Sequence, residues 1–598
     1  MPSHPWRFRS AVNLLLLSVI SYLPAQGQAA QHQTSQPQSP QTQPVYESAT
    51  VMRATTRMVL VDVIATDRSG NPVTDLKPGD FTVLEDRSPQ QIRSFNFQHP
   101  AEVAASVVST PGVSTQMPAP QLPEHVFTNV PAYHADAPLN VILVDALNST
   151  LLNQMNVREE MFKLLLKLPP GRPVAIYALG EKLQILQDFA SDPKVLRDAI
   201  THYKDHAPQQ LKNPVGDPIS QAFILTTLPS PSSLQAYLRY TQDAASVGAD
   251  QRVSLTLDAL QAIAQALSAY PGRKNLIWLS ASFPLALNVD GEMKLKGDAA
   301  ERNYEPQLAR MADSLMSAQV AVYPVDARGM ATLSFLEAGV AARHPSGGGY
   351  TDGSGVGLEP VASNLSDELL AAHATMNTLA ERTGGKAFYN TNDLDKAVLA
   401  GMDDGATYYT LGYYPTSRQW DGKFRKLQIK TARADVKLRY RSGYFAIDPT
   451  GYPQKDPRLR AHDLIQALSL EAPAATALLF QARVLPPSKK TGNKVLVDFS
   501  IDPHALSFQH GDDGLEHATM KCAVEVYSDK GVPLRTEASD VSTALKPDAY
   551  QQVLRTNLPC RASFNLEEGN YLLRLAVRDE RTGLIGSQTA ELSVGAEE

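Results

Sequence analysis

Between Leu139 and Asp326 the chain repeats one pattern: a short, nearly unbroken apolar run, then a longer segment with apolar residues at helical spacing. The runs are Leu139-Asn140-Val141-Ile142-Leu143-Val144-Asp145, Pro173 to Gly180, Lys274 to Ser280 and Val320 to Asp326. A strand with one wet face alternates apolar and polar residues. A strand that is apolar throughout is covered on both faces, as in a parallel sheet between two helical layers. The segments between and after the runs carry the other period. Met161, Leu164, Leu165 and Leu168 fall on one stripe of Val157–Leu168, and Leu257, Leu260, Ile263, Ala264 and Leu267 on one stripe of Val253–Tyr270. Further helices are expected over Gln307–Ala318 and Leu369–Thr383, the second stopped by Gly384-Gly385 where a left-handed cap is wanted. Leu183–Leu186 reads as a hairpin partner of the second strand. The alternation predicts a doubly wound, mostly parallel sheet, with its ligand crevice at the carboxyl ends of the strands.

The flanks read differently. Met58–Thr66, Asp80–Asp86 and Gln91–Phe97 are β-branched or alternating and are broken by turns such as Asp67-Arg68-Ser69-Gly70-Asn71-Pro72, which predicts an N-terminal β-module over 46–98. Residues 99–136 are Pro-, Val- and Ala-rich without periodicity and read as a linker. The central α/β block is expected over 137–446, with insertions near 207–250 and 343–360. Its last part, Tyr408–Tyr414, Phe424–Lys430 and Val436–Tyr440, alternates like antiparallel strands. The glycine-rich run Gly347–Gly357 lacks the Lys-Ser/Thr ending of a phosphate loop. From 455 to 598 a short helix near Leu459–Leu470 precedes only strand-like runs, which predicts a β-sandwich. At the other end, Arg7 and Arg9 precede the apolar run Ala11–Leu23 and then small residues, the pattern of a signal peptide over 1–29. A Gln-, Ser-, Thr- and Pro-rich disordered linker over 30–45 follows. The expectation is export to the periplasm or beyond, with no membrane span in the mature chain.

Composition removes several function classes. With 598 residues and a formal net charge of −7 the chain lacks the basic footprint of a nucleic-acid binder. Two cysteines exclude a thiolate zinc cluster. Cys522 and Cys560 sit in or beside strand-like runs, and an exported chain permits a disulfide between them; two separate buried thiols are the alternative. No Gly-x-Ser-x-Gly elbow or His-Glu-x-x-His site occurs. His202 and His206 have helical spacing without a glutamate base between them and read as a surface pair. Glu85-Asp86 and Asp403-Asp404 read as solvated charges.

The segment Asp67-x-x-Gly70-x-Pro72-Val73, with Leu76, Asp80-Phe81 and Glu85-Asp86, is matched later by Pro271-Gly272-Arg273-Lys274-Asn275-Leu276-Ile277-Trp278-Leu279-Ser280. Val325-Asp326-Ala327-Arg328-Gly329, Leu411-Gly412-Tyr413 and Arg441-Ser442-Gly443-Tyr444 complete the set. Together these motifs resemble exported acidobacterial-type proteins related to von Willebrand factor A domains, over roughly residues 50–446. The resemblance implies a Rossmann-like A-type domain and a metal-ion-dependent adhesion motif: Asp-x-Ser-x-Ser, a threonine before a later helix, and a further aspartate. Those are hard oxygen ligands suited to Mg²⁺. Here the first element is Asp145-Ala146-Leu147-Asn148-Ser149, the threonine position falls at Ser254 or Thr256, and Ser280-Ala281-Ser282 stands where the last aspartate belongs. Leu147 and Ala281 have no oxygen to give. The expected ligand rim is therefore Asp145, Asn148, Ser149, Ser254, Thr256, Ser280 and Ser282, with at most weak Mg²⁺ on Asp145, Ser149 and Thr256 and otherwise no cofactor. The competing role for Asp145 is to cap the helix that follows. The function expected is binding of a protein or cell-surface ligand. The alternatives are an exported hydrolase with an unrecognised site and a structural scaffold.

Overall fold

The computed structural model describes residues 58–99, 122–131, 138–149, 151–168, 171–203, 231–281, 283, 305–329, 359–417, 419–448, 457–488, 491 and 493–595. The signal-peptide segment, the 30–45 linker, His206, the glycine-rich run and Ser282 lie outside the described residues.

The chain opens with β1 (Val59–Thr66), β2 (Phe81–Glu85), β3 (Ser88–Gln90) and β4 (Ile92–Gln98), followed by β5 (Val126–Thr128). The central block is β6 (Leu139–Asp145), α1 (Leu151–Lys167), β7 (Val174–Leu179), β8 (Leu183–Ala190), α2 (Pro193–His202), α3 (Pro231–Ala266), β9 (Lys274–Ser280), α4 (Glu305–Ser317), β10 (Val320–Asp326), α5 (Glu359–Thr383) and α6 (Leu394–Asp404). Its sheet runs β10-β9-β6-β7-β8, parallel except for the antiparallel edge strand β8. Numbered within the block this is the order 3-2-1-4-5 of a doubly wound sheet, and the order reverses between β6 and β9. Every residue of β6, β9 and β10 is buried, as apolar strands between two layers must be. Leu257, Leu260, Met311, Leu315, Met376 and Leu379 of α3, α4 and α5 cover one face. Met161, Leu164, Leu196, Val398 and Met402 of α1, α2 and α6 cover the other. The cap expected after α5 is present: Gly384 has φ +79°, and a Cβ on Gly385 would lie 1.9 Å from the Val322 carbonyl oxygen of β10.

One expected insertion and one expected domain boundary take a different form. Residues 231–250, assigned to an irregular insertion, are the first half of α3, whose polar composition hid the helical stripe that begins only at Val253. The block is followed by β11 (Tyr408–Tyr413), β12 (Phe424–Thr431), β13 (Lys437–Arg439) and β14 (Gly443–Phe445). These strands complete the N-terminal ones. One sheet runs β13-β1-β11-β4 and a second β14-β12-β2-β3, with Val61 opposite Leu411 and Ile429 opposite Val83. The physical reason is that β2 and β3 are short and a lone small sheet buries too little apolar surface to stand alone. Between the sheets lies Glu85, only 3% exposed, which accepts hydrogen bonds from the Tyr413 hydroxyl at 2.7 Å and the Tyr444 hydroxyl at 3.0 Å. Reading Glu85 as solvated was incorrect, because its partners come from strands more than 300 residues away. Asp404 is likewise engaged, accepting from the Tyr323 hydroxyl at 2.9 Å and pairing with Arg439.

The C-terminal part comprises α7 (Pro457–Leu468), β15 (Phe480–Leu485), β16 (Val495–Ile501), β17 (Gln509–His510), β18 (Glu516–Ser528), β19 (Pro533–Leu545), α8 (Pro547–Val553), β20 (Leu558–Phe564), β21 (Gly569–Asp579) and β22 (Ile585–Val594). Its two sheets are β20-β16-β15-β5 and β17-β18-β21-β22, with β19 on β18. So part of the expected 99–136 linker, β5, is an edge strand of the sandwich, too short to leave a period in the sequence. Thr476 ties this sandwich to the central block: its N–H donates to the Gln265 carbonyl at 2.9 Å and its hydroxyl to the Ala266 carbonyl at 2.9 Å, closing the end of α3. Nearby, His462 of α7 stands 3.4 Å from Asp258 of α3, and the two carboxylates of Asp258 and Asp463 push its pKa up to about 10.

Cys522 of β18 and Cys560 of β20 are bonded across the sandwich core, their Cα atoms 6.8 Å apart and 38 residues separate in sequence. Closing a loop of that length stabilises by roughly 2–4 kcal/mol through the unfolded chain. Reduction, or the double change Cys522→Ala with Cys560→Ala, should lower sandwich stability by about that amount in urea unfolding. An unchanged midpoint would assign these cysteines to packing alone.

At the amino ends of the parallel strands, Lys274 is 1% exposed and its Nζ donates to the carbonyls of Tyr270 at 2.7 Å and Gly272 at 2.8 Å. Burial pulls its pKa down to about 7, against the opposing pull of Asp62. A neutral amine has two N–H groups, one for each carbonyl. Between pH 7 and the unfolded value near 10.5 the unfolded chain holds a proton that the native state lacks, so this residue's contribution to stability rises with pH. Native stability relative to Lys274→Met should therefore climb from pH 7 to about pH 9.5, at up to roughly 1.4 kcal/mol per pH unit. A pH-independent difference in urea unfolding would contradict the neutral amine.

Candidate functional site

The strand order reverses between β6 and β9, the switch point at whose carboxyl ends doubly wound sheets place their ligands, and Asp145 is the last residue of β6. It is 1% exposed, and its two oxygens accept four hydrogen bonds. The backbone N–H of Asn148 donates to Oδ1 at 2.9 Å. Oδ2 accepts from Asn148 Nδ2 at 2.9 Å, Trp278 Nε1 at 3.0 Å and Ser280 Oγ at 2.7 Å. Burial pushes the carboxyl pKa above the ordinary range, while the bonds from Asn148, Ser280 and Trp278 oppose that shift. Strand alternation explains the convergence: Asp145, Trp278 and Ser280 all face the layer formed by α3, α4 and α5.

The loop after β6 is fixed on all sides. Asn148 Nδ2 also donates to Thr256 Oγ1 at 3.0 Å, joining the loop to α3. Ser149 Oγ accepts from the Ala281 N–H at 3.0 Å, joining it to the end of β9. Gln154 Nε2 donates to the carbonyls of Ala146 and Ser149, both at 3.0 Å. Of the residues expected at the rim, Asp145, Asn148, Ser149, Thr256 and Ser280 meet. Ser254 does not: it is exposed on α3, two positions from the buried Thr256 and so on the other side of the helix. Asp145 binds within its own loop ahead of α1 and does not cap that helix, which begins at Leu151.

Sequence reasoning missed Trp278 as a donor, because its position in an apolar strand reads simply as core. It also missed the cluster one strand further along. Asp326 ends β10, paired in register with Ser280, and is 1% exposed. It accepts from Arg328 Nε at 2.9 Å and Nη2 at 2.7 Å and lies 3.1 Å from His373 Nε2 of α5. The His373 ring stacks on Tyr389, centroids 4.2 Å apart. The Val325-Asp326-Ala327-Arg328 motif was legible, but its partner on α5 was not.

These residues do not fit a divalent ion as arranged. Asp145, the one carboxylate at this strand end among the described residues, already accepts four hydrogen bonds, the Ser149 and Thr256 hydroxyls accept from Ala281 and Asn148, and Leu147 contributes no oxygen. Among the described residues no group of three or more His, Cys, Asp or Glu side chains is placed to hold a metal. Among them, too, no helix is long and apolar enough to cross a membrane.

No protein-family model matches the chain, and no curated protein matches it. Solved structures do. A von Willebrand factor type A protein from Catenulispora acidiphila is 13% identical, with 55% of this chain and 71% of that one covered and a TM-score of 0.18. The ArnB paralog VWA2 from Sulfolobus acidocaldarius is 9% identical, with 90% and 76% covered and a TM-score of 0.18. An aerotolerance-related membrane protein from Bacteroides fragilis is 11% identical, with 44% and 98% covered and a TM-score of 0.23. The neighbours thus include von Willebrand A domain proteins, but at such scores the likeness carries no argument, and the fold rests on the strand order and its switch point.

Proposed function

We propose that the chain is an exported binding protein whose central A-type block holds a protein or cell-surface ligand at the β6/β9 rim, with little or no contribution from Mg²⁺. The observation that carries this reading is the four-fold hydrogen-bonded carboxylate at the switch point. It occupies the position from which an adhesion-type site would recruit a metal, yet its acceptor capacity is turned inward. On α1, the helix that follows the loop after β6, Leu151 and Met155 are 45% and 50% exposed, apolar surface of the kind that partner contacts use. The resemblance in motif supports an adhesion-type role, and the basic-then-apolar stretch Arg7–Leu23 supports export.

The test uses the full chain in EDTA. Immobilised native protein should capture a partner from the exported fraction of its own cells, and the double change Leu151→Glu with Met155→Glu should abolish capture without lowering the melting temperature. A capture that needs added Mg²⁺ would overturn the metal-free reading. Turnover of an ester, peptide or glycoside substrate, lost on a point change at the rim, would replace binding by hydrolysis.

A further inference from the structure

We infer that the joint between the flanking sheets and the amino ends of the central parallel strands holds one chloride-sized anion, on the guanidinium groups of Arg273 and Arg441. The site lies at the opposite end of the central sheet from the rim and is independent of what the rim binds.

A cavity of about 20 Å³, room for one or two water-sized groups, opens at this joint. Asp62 of β1 and Arg441, just ahead of β14, line it from the flanking sheets; Arg273, just ahead of β9, and Gln319, just ahead of β10, line it from the central block. Arg273 is 2% exposed. Its Nη2 donates to the Tyr323 hydroxyl at 3.0 Å and the Gly384 carbonyl at 2.7 Å, while its Nε meets no acceptor among the described residues. Asp62 and Asp404 reach it through their fields, without a hydrogen bond. Arg441 donates from Nη2 to the Leu60 carbonyl at 2.8 Å, which anchors a second guanidinium on the cavity wall. Asp62, the one carboxylate among the lining residues, accepts from Gln319 Nε2 at 3.1 Å and Thr410 Oγ1 at 2.7 Å. Two cations against one anion leave the wall with a net positive charge.

Arginine keeps its proton in proteins, so a buried guanidinium needs acceptors and a counter-charge close by. An occupant that completes this wall must accept N–H bonds and carry one negative charge. Chloride does both, has no hydrogens of its own to place, and is only slightly larger than a water molecule. Water accepts, but it brings two hydrogens that need acceptors and no charge to offset the arginines. Phosphate and sulfate, with four oxygens each, exceed the space. Because the wall belongs both to the flanking sheets and to the central block, the ion fastens one to the other. The chain's net charge of −7 opposes non-specific accumulation of anions, so saturable chloride binding reports a specific site.

Urea unfolding and hydrogen exchange of the full chain test the inference at fixed pH and ionic strength, with sodium chloride replacing sodium gluconate, whose anion is too large for the cavity. Each tenfold rise in chloride above half-saturation should lower the unfolding constant about tenfold, as for one site that the unfolded chain lacks. Protection should rise with it in peptides across 59–66 and 439–445. Arg441→Gln should remove both responses, and Arg555→Gln, a change at an exposed arginine of the sandwich, should keep both. Crystals of the native protein soaked in sodium bromide give a reading that needs no variant. One anomalous peak beside Arg273 Nε and Arg441 supports the site; density there without an anomalous signal is water and overturns it. The inference also fails if chloride and gluconate act alike, or if Arg441→Gln responds to chloride as the native protein does. None of these outcomes alters partner capture at the rim, so the two readings stand or fall separately.

Discussion

Asp145→Ala should cost about 3–5 kcal/mol in urea unfolding of the central block, followed through the fluorescence of Trp278. The magnitude comes from what the substitution leaves behind. Trp278 Nε1, Ser280 Oγ and both nitrogens of Asn148 are directed at this carboxylate inside a site from which water is excluded. Each buried donor without an acceptor costs about 1–3 kcal/mol, and removing one member of a buried charged network costs several. A helix cap, the competing role read from the sequence, would cost about 1 kcal/mol. The two roles are far enough apart to be told by one measurement: a loss near 1 kcal/mol would return Asp145 to local turn chemistry. The same variant should release the loop 146–149, seen as faster amide exchange, because Asn148 then loses its two bonds to Asp145.

Arg574→Met should be comparably severe, at about 3–5 kcal/mol, and its effect should concentrate at the junction between the central block and the sandwich. Arg574 lies in β21, is 2% exposed and makes five hydrogen bonds. Nε donates to the Ala467 carbonyl at 2.9 Å, and Nη2 to those of Ala472 at 3.0 Å and Pro473 at 2.9 Å. Nη1 donates to Thr589 Oγ1 at 3.0 Å, and Nη2 also to Ser587 Oγ at 2.9 Å. Burial pulls the guanidinium pKa down to about 10, so it stays charged at neutral pH, held by carbonyl and hydroxyl dipoles. The Met side chain refills the volume but strands three carbonyls at the end of α7. Hydrogen exchange read by mass spectrometry should show peptides across 457–476 losing protection first, ahead of β16 and β18. Arg574→Lys should recover part of the loss. Equal loosening of the whole sandwich would mean that Arg574 supports the core and not the junction.

What could be read from the sequence and what could not divides along the range of the interactions. The runs Leu139–Asp145, Lys274–Ser280 and Val320–Asp326 specify buried parallel strands on their own, because a strand covered on both faces leaves no alternative to continuous apolarity. Carboxyl ends that converge at the switch point follow from that topology, so Asp145, Thr256 and Ser280 were legible as neighbours. The glycine cap after α5 was legible too, being a matter of local backbone conformation. By contrast, Glu85 beside Asp86 has the local signature of a turn, and only the return of β11 and β14 buries it under Tyr413 and Tyr444. β5 pairs with β15 across some 350 residues, and a three-residue edge strand has no period to detect. Ser254 and Thr256 were equivalent as hydroxyls; the rotation of α3 on its apolar stripe buried one and exposed the other. Whether a carboxylate faces a metal, a partner or its own neighbours is not a property of its motif. The indole of Trp278 and the hydroxyl of Ser280 settled it for Asp145, and the sheet alone brings them to within 3.0 Å.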